Sequence, residues 1–372
     1  MTKRILDAST GFKLGLFSPN CSSGLAVTKV PERWSGSWED NLALARLSDE
    51  VGLDFLLPIA RWIGYGGETN FHEGVLEPVT WAAGLLAATE RITVFATVHT
   101  AFNHPIVSAK QLATLDRIGS GRAGINIVAG WNKPEYDTFG IDLPTSHDDR
   151  YAYSQEWWDI VNRIWTSPEP FDHEGRFFRL AHVVGDPKPA GGALPVLNAG
   201  ASPQGRDFAA RNANYLFTPF AEVEDGAETV RQVTSGAAER YDRTMGVLTL
   251  AHVVCRPTRE EAEDYLAYYA GSHADWDAVD NLMRLQGLHA QSFSKEMLAT
   301  FRGRFAAGHG SYPLIGDPDD VAAAIGRIHG AGFAGTTLSF VDYVAELPFF
   351  AQEVMPRLER MGIRSPVAVP AS

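Results

Sequence analysis

Gly124-Ile-Asn-Ile-Val-Ala-Gly-Trp-Asn-Lys-Pro-Glu-Tyr-Asp-Thr-Phe-Gly-Ile141 is the stretch that decides the fold, because an apolar strand carrying one amide runs directly into a Gly-Trp corner and a polar, aromatic loop. Alternation along a strand places Asn126 on the face opposite Ile125 and Ile127. A buried carboxamide needs hydrogen-bonding partners. A β/α barrel presents its chemistry in this way, with polar side chains at strand ends and loops beyond them.

Seven further apolar or β-branched runs alternate with helical patterns along the chain. The eight strand candidates are residues 12–17, 55–57, 92–98, 125–129, 196–198, 215–218, 247–254 and 336–340. Apolar residues at helical spacing lie between or after them, at residues 40–51, 105–118, 148–165, 202–212, 259–270, 319–331 and 346–361. This alternation predicts an α/β protein, a (β/α)8 TIM barrel of parallel strands.

The length of 372 residues and the hydrophobic content of 45% allow a large core. We therefore expect one domain over residues 1–372. Two segments exceed the connections of a minimal barrel: about 168–194, rich in proline, glycine and aromatic residues, and about 272–312, with a helical pattern and little strand character. Long connections of this kind are often lids or binding loops. An insertion that only packs against the barrel or faces another subunit fits them equally.

Charge and motif content disfavour several classes of function. The formal net charge of -13 and the pI near 5.3 disfavour a nucleic-acid or anionic-membrane partner. No apolar run approaches the ~18 residues of a membrane span, and residues 1–11 lack the apolar core of a secretion signal, so a cytoplasmic protein is expected. Cys21 and Cys255 have neither disulfide-framework nor zinc-ligand spacing. Without a His-x-His, H-E-x-x-H or G-x-S-x-G motif, we predict no metal site and no hydrolase nucleophile.

Two glycine-containing turns receive different interpretations. Residues 119–124 fit G-x-G-x-x-G, but they follow a helix and enter a strand, which reverses the order of a dinucleotide fingerprint. We interpret them as a helix-ending turn. Residues 194–205 read as strand, tight turn and helix, with Ser202 as N-cap and Pro203 at the first helical position. The start of that helix is either a phosphate cradle or an ordinary cap.

These motifs resemble the bacterial-luciferase-like flavin-dependent monooxygenases, and above all the branch that opens pyrimidine rings. Dimethylsulfone and alkanesulfonate monooxygenases are similar but further off. The likeness covers residues 54–71, 109–117, 124–141, 150–151 and 200–202, in order over the first two thirds of the chain. It implies FMN, reduced by a separate NAD(P)H-dependent flavin reductase, with O2 as co-substrate. It also implies a homo-oligomer, a dimer or a tetramer.

The resemblance further implies which residues contact the flavin. They are Ala60, Arg61, Asn126, Glu135, Arg150, Tyr151 and Ser202, of which the last three are expected at the phosphate. Arg61 stands where the pyrimidine branch has lysine, so the charge is kept and the donor geometry changes. Arg150 as a surface ion pair and Glu135 as a solvated loop acid remain alternatives.

The same resemblance implies roles in oxygen chemistry, and the loops after the strands, where barrel active sites gather, supply candidates for substrate binding. Thr97 and Asn126 correspond to the residues beside the flavin ring where oxygen reacts, although a strand threonine is also simply a good β-former. The substrate-pocket candidates are Trp62, His99, Phe102 and Trp131. For these residues, aromatic core packing and a structural imidazole are the alternatives.

The sequence-based hypothesis is a two-component FMN-dependent monooxygenase. By resemblance, reduced FMN and O2 form a peroxide that oxidises a small neutral N-heterocycle or amide-like substrate and cleaves a C-N bond. The alternatives are oxidation of carbon beside sulfur, hydride transfer by a deazaflavin, and an FMN-binding protein without turnover. A sulfonate would need several cations, and Arg61 alone stands out, so a neutral substrate is favoured.

Overall fold

Eight parallel strands close into a barrel in the computed structural model, which describes residues 4–144, 146–287 and 295–366. The strands are β1 (Lys13–Phe17), β2 (Phe55–Leu57), β3 (Thr93–His99), β4 (Ala123–Val128), β5 (Phe171–Glu174), β6 (Arg179–Val183), β7 (Val196–Asn198), β8 (Tyr215–Phe217), β9 (Gly246–Cys255), β10 (Tyr312–Gly316) and β11 (Gly335–Ser339). The barrel order is β1-β2-β3-β4-β7-β8-β9-β11 and back to β1. All eight predicted strands are barrel strands, which confirms the predicted (β/α)8 fold.

Helices follow the strands and cover the outside of the barrel. They are α1 (Trp38–Val51), α2 (Pro78–Ala88), α3 (Pro105–Ile118), α4 (Lys133–Phe139), α5 (His147–Thr166), α6 (Pro203–Asn212), α7 (Val223–Tyr241), α8 (Arg259–Ala267), α9 (Trp276–Leu285), α10 (Lys295–Gly308), α11 (Pro318–Gly330), α12 (Tyr343–Glu353) and α13 (Met355–Arg360). In the ranges that the structure describes, no helix is both long and apolar enough to cross a membrane.

Large side chains fill the interior of the barrel. Phe55 and Phe95 pack there edge to face, with ring centroids 5.9 Å apart. A Cβ atom at Gly15 would lie 2.6 Å from the Phe55 ring, and one at Gly124 would lie 2.6 Å from the Phe95 ring. Glycine at these two strand positions therefore makes room for the rings. Because the interior is packed, ligands are left with the mouth at the carboxyl ends of the strands.

The first predicted insertion contains an antiparallel hairpin, β5 and β6, which the sequence pattern did not reveal. Glu156 of α5 holds the turn of this hairpin. Its carboxylate accepts hydrogen bonds from the backbone N-H groups of Phe177 at 3.0 Å and Phe178 at 2.9 Å, and contacts His173 Nε2 at 3.0 Å. These contacts fix the hairpin to α5.

The second predicted insertion contains α9 and α10 and ends as β10 begins, while residues 288–294 lie outside the described residues. β9 is ten residues long, so its second half extends past the closed barrel. β10 pairs with that half in parallel, from Tyr312 beside Ala251 to Gly316 beside Cys255. This ninth strand in the sheet was not predicted, because residues 247–254 read as one ordinary strand.

A buried ion pair ties the C-terminal segment to the barrel. Arg364 and Asp54 have 1% and 0% side-chain exposure and form a salt bridge. The Arg364 guanidinium also donates to the carbonyls of Phe12 at 2.8 Å and Gly52 at 2.6 Å. Asp54 accepts from the backbone N-H of Leu14 at 2.8 Å.

We predict that Arg364→Met lowers the free energy of unfolding by about 3–5 kcal/mol, because it leaves the buried Asp54 carboxylate without its cation. Urea unfolding followed by circular dichroism measures this change. Arg360→Met, on the exposed side of α13, is the control and should change stability by less than about 0.5 kcal/mol. Equal effects of the two substitutions would contradict the prediction.

Candidate active site

Two polar side chains meet at the mouth of the barrel, on neighbouring strands. The register of β3 and β4 places Thr97 beside Asn126. Asn126 Nδ2 donates to Thr97 Oγ1 at 3.2 Å, and Thr97 Oγ1 donates to the carbonyl of Pro58 at 2.5 Å. The Asn126 carbonyl oxygen is buried and has no donor within the described part of the chain. A buried acceptor without a donor costs about 1–3 kcal/mol, which a bound ligand would offset.

A buried ion pair lies at the same end of the barrel, between the segment after β2 and the helix after β4. Glu135, in the first turn of α4, has no exposed surface, so it is not the solvated loop acid that the sequence left open. Its Oε1 accepts from Arg61 Nη1 at 2.9 Å and from the backbone N-H of Trp62 at 2.9 Å. The guanidinium of Arg61 also lies 4.9 Å from the ring of Tyr65 and 5.5 Å from that of Trp131. The carboxylate of Glu135 therefore balances the positive charge of Arg61 inside the site.

Three of the predicted pocket residues belong to one aromatic stack. His99 stacks on Phe102 with ring centroids 5.1 Å apart, and Phe102 stacks on Phe139 at 4.2 Å. Trp62 contacts Phe139 edge to face at 5.3 Å and is 41% exposed. Phe139, on α4, was missed because nothing in its spacing relates it to the loops after β2 and β3.

The imidazole of His99 is neutral. Burial, and then the positive charge of Arg61, lower the pKa of His99 to about 3, although a hydrogen bond to the backbone of Ala60 opposes the shift. This pKa excludes His99 as a proton donor near neutral pH. Its Nδ1 is buried and has no partner among the residues described.

The predicted phosphate residues line one cavity of about 220 Å³. Ser202 caps α6, accepting from the backbone N-H of Gly205 at 3.1 Å, which confirms the predicted N-cap. Arg150 and Tyr151, near the start of α5, line the same cavity, and Arg150 Nη1 donates to the carbonyl of Pro144 at 2.6 Å. A cation, a hydroxyl group and a helix N-terminus therefore face the same space. This combination has the chemistry that anion binding requires, and the phosphate role of these residues stays a prediction.

Tyr151 is inserted tightly between the turn after β7 and the start of α6. Its hydroxyl lies 2.5 Å from the position of a Cβ atom at Gly200 and at the same distance from one at Gly205. Burial raises the pKa of Tyr151 to about 12, against the lowering effects of a hydrogen bond to Asn198 and of the Arg150 charge. Tyr151 is therefore a neutral hydrogen-bonding group at this cavity.

A second cavity of about 370 Å³ opens at the same end of the barrel, on the far side of residue 199. It lies beyond the ends of β1, β7 and β8, against α10 and the residue that follows α9. Its lining residues are Phe17, Ala199, Phe217, Pro219, Phe220, Ala221, Leu250, Gln286, Phe301, Arg304, Phe305, His309 and Gly310. Ala199 lines both cavities, so ligands in the two would be neighbours. Sequence reasoning missed this cavity because it depends on how residues 272–312 fold back over the barrel.

The structure places the predicted residues in three groups. Thr97 and Asn126 form a hydrogen-bonded pair, while Arg150, Tyr151, Ser202 and Trp131 line the first cavity. The remaining candidates, Ala60, Arg61, Trp62, His99, Phe102 and Glu135, are joined by the ion pair, the aromatic stack and the His99 hydrogen bond. Within the described ranges, no group of three metal-binding side chains occurs.

Buried neutral histidines make stability depend on pH. The folded-state pKa of His99, about 3, lies below the ordinary value of 6.5. Between these values the unfolded chain binds a proton that the folded chain does not, so this stability is complete above pH 6.5 and is lost as the pH falls toward 3. We predict that His99→Asn reduces the slope of unfolding free energy against pH, between pH 4 and 6, by about 1.4 kcal/mol per pH unit.

Urea unfolding at several pH values measures this slope. The control is His182→Asn, because His182 is an exposed residue on the outer hairpin. An unchanged slope in His99→Asn would mean that His99 is protonated in the folded protein.

Known proteins resemble this chain over nearly its whole length. A sequence profile described as luciferase-like monooxygenase matches residues 12–335. The pyrimidine monooxygenase of Allorhizobium ampelinum is 30% identical over 361 residues, which cover 92% of this chain and 95% of that protein. The FMNH(2)-dependent dimethylsulfone monooxygenase of Pseudomonas fluorescens is 30% identical over 359 residues, which cover 95% of this chain and 96% of that protein. The crystal structure of a long-chain alkane monooxygenase has the same fold, with a TM-score of 0.85 at 18% identity, covering 100% of this chain and 95% of that one.

Proposed function

This chain belongs to the luciferase-like monooxygenase family, and we propose that it uses reduced FMN and O2 to oxidise, and to open by C-N cleavage, a small neutral N-heterocycle or amide-like substrate. The observation that carries this proposal is the first cavity, which joins Arg150, Tyr151 and Ser202 to the mouth of the barrel. The two relatives named above act on pyrimidines and on dimethylsulfone.

The residues at the barrel mouth fit a flavin mononucleotide. The phosphate would lie between Arg150, Tyr151 and the N-terminus of α6. Several buried polar atoms beside the barrel mouth have no partner within the described ranges, namely Asn126 Oδ1, Glu135 Oε2, Arg61 Nε and His99 Nδ1. The polar edge of a flavin ring offers the donors and acceptors that such atoms need.

Reduced FMN, when bound, supplies the two electrons with which one atom of O2 enters the substrate and the other is reduced to water. The chain supplies a preorganised polar site. Asn126 Nδ2 donates one N-H to Thr97 Oγ1. Its second N-H can stabilise negative charge that develops during the reaction. Thr97 directs its proton to the Pro58 carbonyl, which fixes the orientation of both side chains.

Charge balance at the site favours a neutral substrate. Arg61 is paired with Glu135, and His99 carries no charge near neutral pH. A sulfonate or carboxylate would have to compete with Glu135 for the Arg61 cation. Oxidation of carbon beside sulfur in a neutral sulfone is the second candidate function, because the dimethylsulfone relative is as similar, at 30% identity, as the pyrimidine relative.

We also propose that the flavin is reduced by a separate NAD(P)H-dependent reductase in the cytoplasm. The name of the FMNH(2)-dependent relative supports the use of a flavin that arrives already reduced. A homo-oligomer, dimer or tetramer, stays a prediction from the resemblance.

Arg150 is predicted to bind the phosphate. Arg150→Met should raise the Kd for FMN by about tenfold to a hundredfold, because a charge-assisted hydrogen bond contributes about 1.5–3 kcal/mol. The Kd for riboflavin, which has no phosphate, should not change. Fluorescence titration of the full chain measures both. Arg163→Met, on the exposed side of the same helix, is the control, and an equal loss of riboflavin affinity in Arg150→Met would contradict the phosphate role.

We predict that Asn126 promotes the reaction with oxygen and does not only bind FMN. Asn126→Ala should lower coupled oxygenation by about a hundredfold or more, as expected for the loss of a preorganised donor, while FMN still binds. Rapid mixing of reduced FMN and protein with O2 measures this, with hydrogen peroxide release as the sign of uncoupling, over a panel of pyrimidines, pyridines, amides and sulfones. Unchanged oxygenation and unchanged binding in Asn126→Ala would overturn the assignment. O2-independent turnover with a reduced deazaflavin would favour hydride transfer instead.

A further inference from the structure

We propose that the second cavity binds an uncharged, planar, bicyclic lactam and that Gln286 and His309 select it. This inference rests on the proposed function and names its substrate class. The cavity shares Ala199 with the first one, so a ligand in it lies beside the group held at the barrel mouth.

The walls of the cavity favour a flat ring. Phe17 and Phe217 pack edge to face at 5.0 Å on one side. Phe220, on another side, is held between Tyr312 at 4.8 Å and Phe333 at 5.1 Å. Fixed aromatic faces bind planar ligands by stacking and by edge contacts.

The size of the cavity favours more than one ring. Its volume of about 370 Å³ lies within the range of about 300–1,000 Å³ that holds drug-sized ligands. A single small ring would leave part of this space without contacts, and such gaps forfeit dispersion energy. A bicyclic ring fills more of it.

The charges at the cavity are balanced within the protein. Arg304 donates to the carbonyl of Ala221 at 2.8 Å and lies 3.7 Å from the carboxylate of Glu222. Burial, and then the charge of Arg61, lower the pKa of His309 to about 3, so that this imidazole is neutral. An anionic substrate would therefore find no unpaired cation among the lining residues.

Gln286 and His309 form the polar end of the cavity. Their nitrogens Nε2 lie 3.2 Å apart. Because the glutamine nitrogen can only donate, His309 Nε2 is the acceptor and the imidazole proton lies on Nδ1. Gln286 then keeps one N-H and its carbonyl oxygen. These two groups match the C=O and N-H of a lactam, as an amide side chain matches the edge of a nucleobase.

The backbone of His309 supports a role for its side chain. His309 follows α10 with φ of +56°, a left-handed position that usually holds glycine or asparagine. Its ring is fixed by Phe305 at 6.0 Å, Tyr65 at 6.2 Å and His72 at 5.8 Å. A strained residue that points a fixed ring at a cavity is typical of functional positions.

The binding of probe ligands to the full chain, measured with and without FMN, tests the inference independently of turnover. The probes are quinolin-2-one, the single-ring pyridin-2-one and the anionic quinoline-2-carboxylate, titrated by calorimetry. We expect quinolin-2-one to bind at least tenfold more tightly than either of the others. Gln286→Leu and His309→Asn should each weaken quinolin-2-one binding at least tenfold, with FMN affinity unchanged. Gln232→Leu, on the exposed face of α7, is the matched control.

Two results would overturn the inference: no preference for quinolin-2-one, or full affinity in both Gln286→Leu and His309→Asn. Unchanged FMN affinity in each variant shows that the chain is folded, and Asn tolerates the left-handed position of His309. If the wild-type chain binds neither FMN nor reduced FMN, the proposed function fails instead, whatever the probes do. The two failures are therefore distinguishable.

Discussion

The buried ion pair between Arg61 and Glu135 is the interaction on which the rest of the site depends. It joins the segment after β2 to the helix after β4, two parts of the chain 74 residues apart. Removing one partner would leave the other charged in a place that water does not reach, which costs several kcal/mol. Because Glu135 also accepts from the backbone of Trp62, the pair fixes where the aromatic stack begins. The same pair cancels the charge of Arg61, so an anionic ligand would have to compete with Glu135 for the guanidinium.

The site is otherwise assembled from simple consequences of the barrel. Parallel strands end at one face, and residues opposite each other in register share a hydrogen bond there, as Thr97 and Asn126 do. The loops after the strands lead into helices, whose N-termini point to the same face. One of them, α6, begins at the first cavity, which Arg150 also lines. The predicted anion site, the polar pair and the aromatic wall therefore lie at one face, while the eight barrel strands keep ordinary backbone angles.

The barrel could be predicted because its strands are buried on both sides and read as short apolar runs between helical patterns. Asn126 and Ser202 could be identified for a similar reason, since a strand alternation and a helix cap are local signals. The ion pair between Arg61 and Glu135 could not be predicted, because no sequence pattern links these two positions. The second cavity could not be predicted from the sequence either. It is formed where α10 returns over the barrel, and that return depends on the extra length of β9, which pairs with β10.

The contact of Tyr151 with Gly200 and Gly205 also limits how this enzyme can change in evolution. The phenol occupies the space of two Cβ atoms that the chain does not have. A larger residue at either glycine is incompatible with tyrosine. It would also meet backbone, because a Cβ atom at Gly200 would lie 2.5 Å from the Cα atom of Gly205, and one at Gly205 would lie 2.6 Å from the Cα atom of Gly200. The three positions therefore constitute one epistatic unit. Divergence in this part of the barrel must therefore proceed by coordinated replacement.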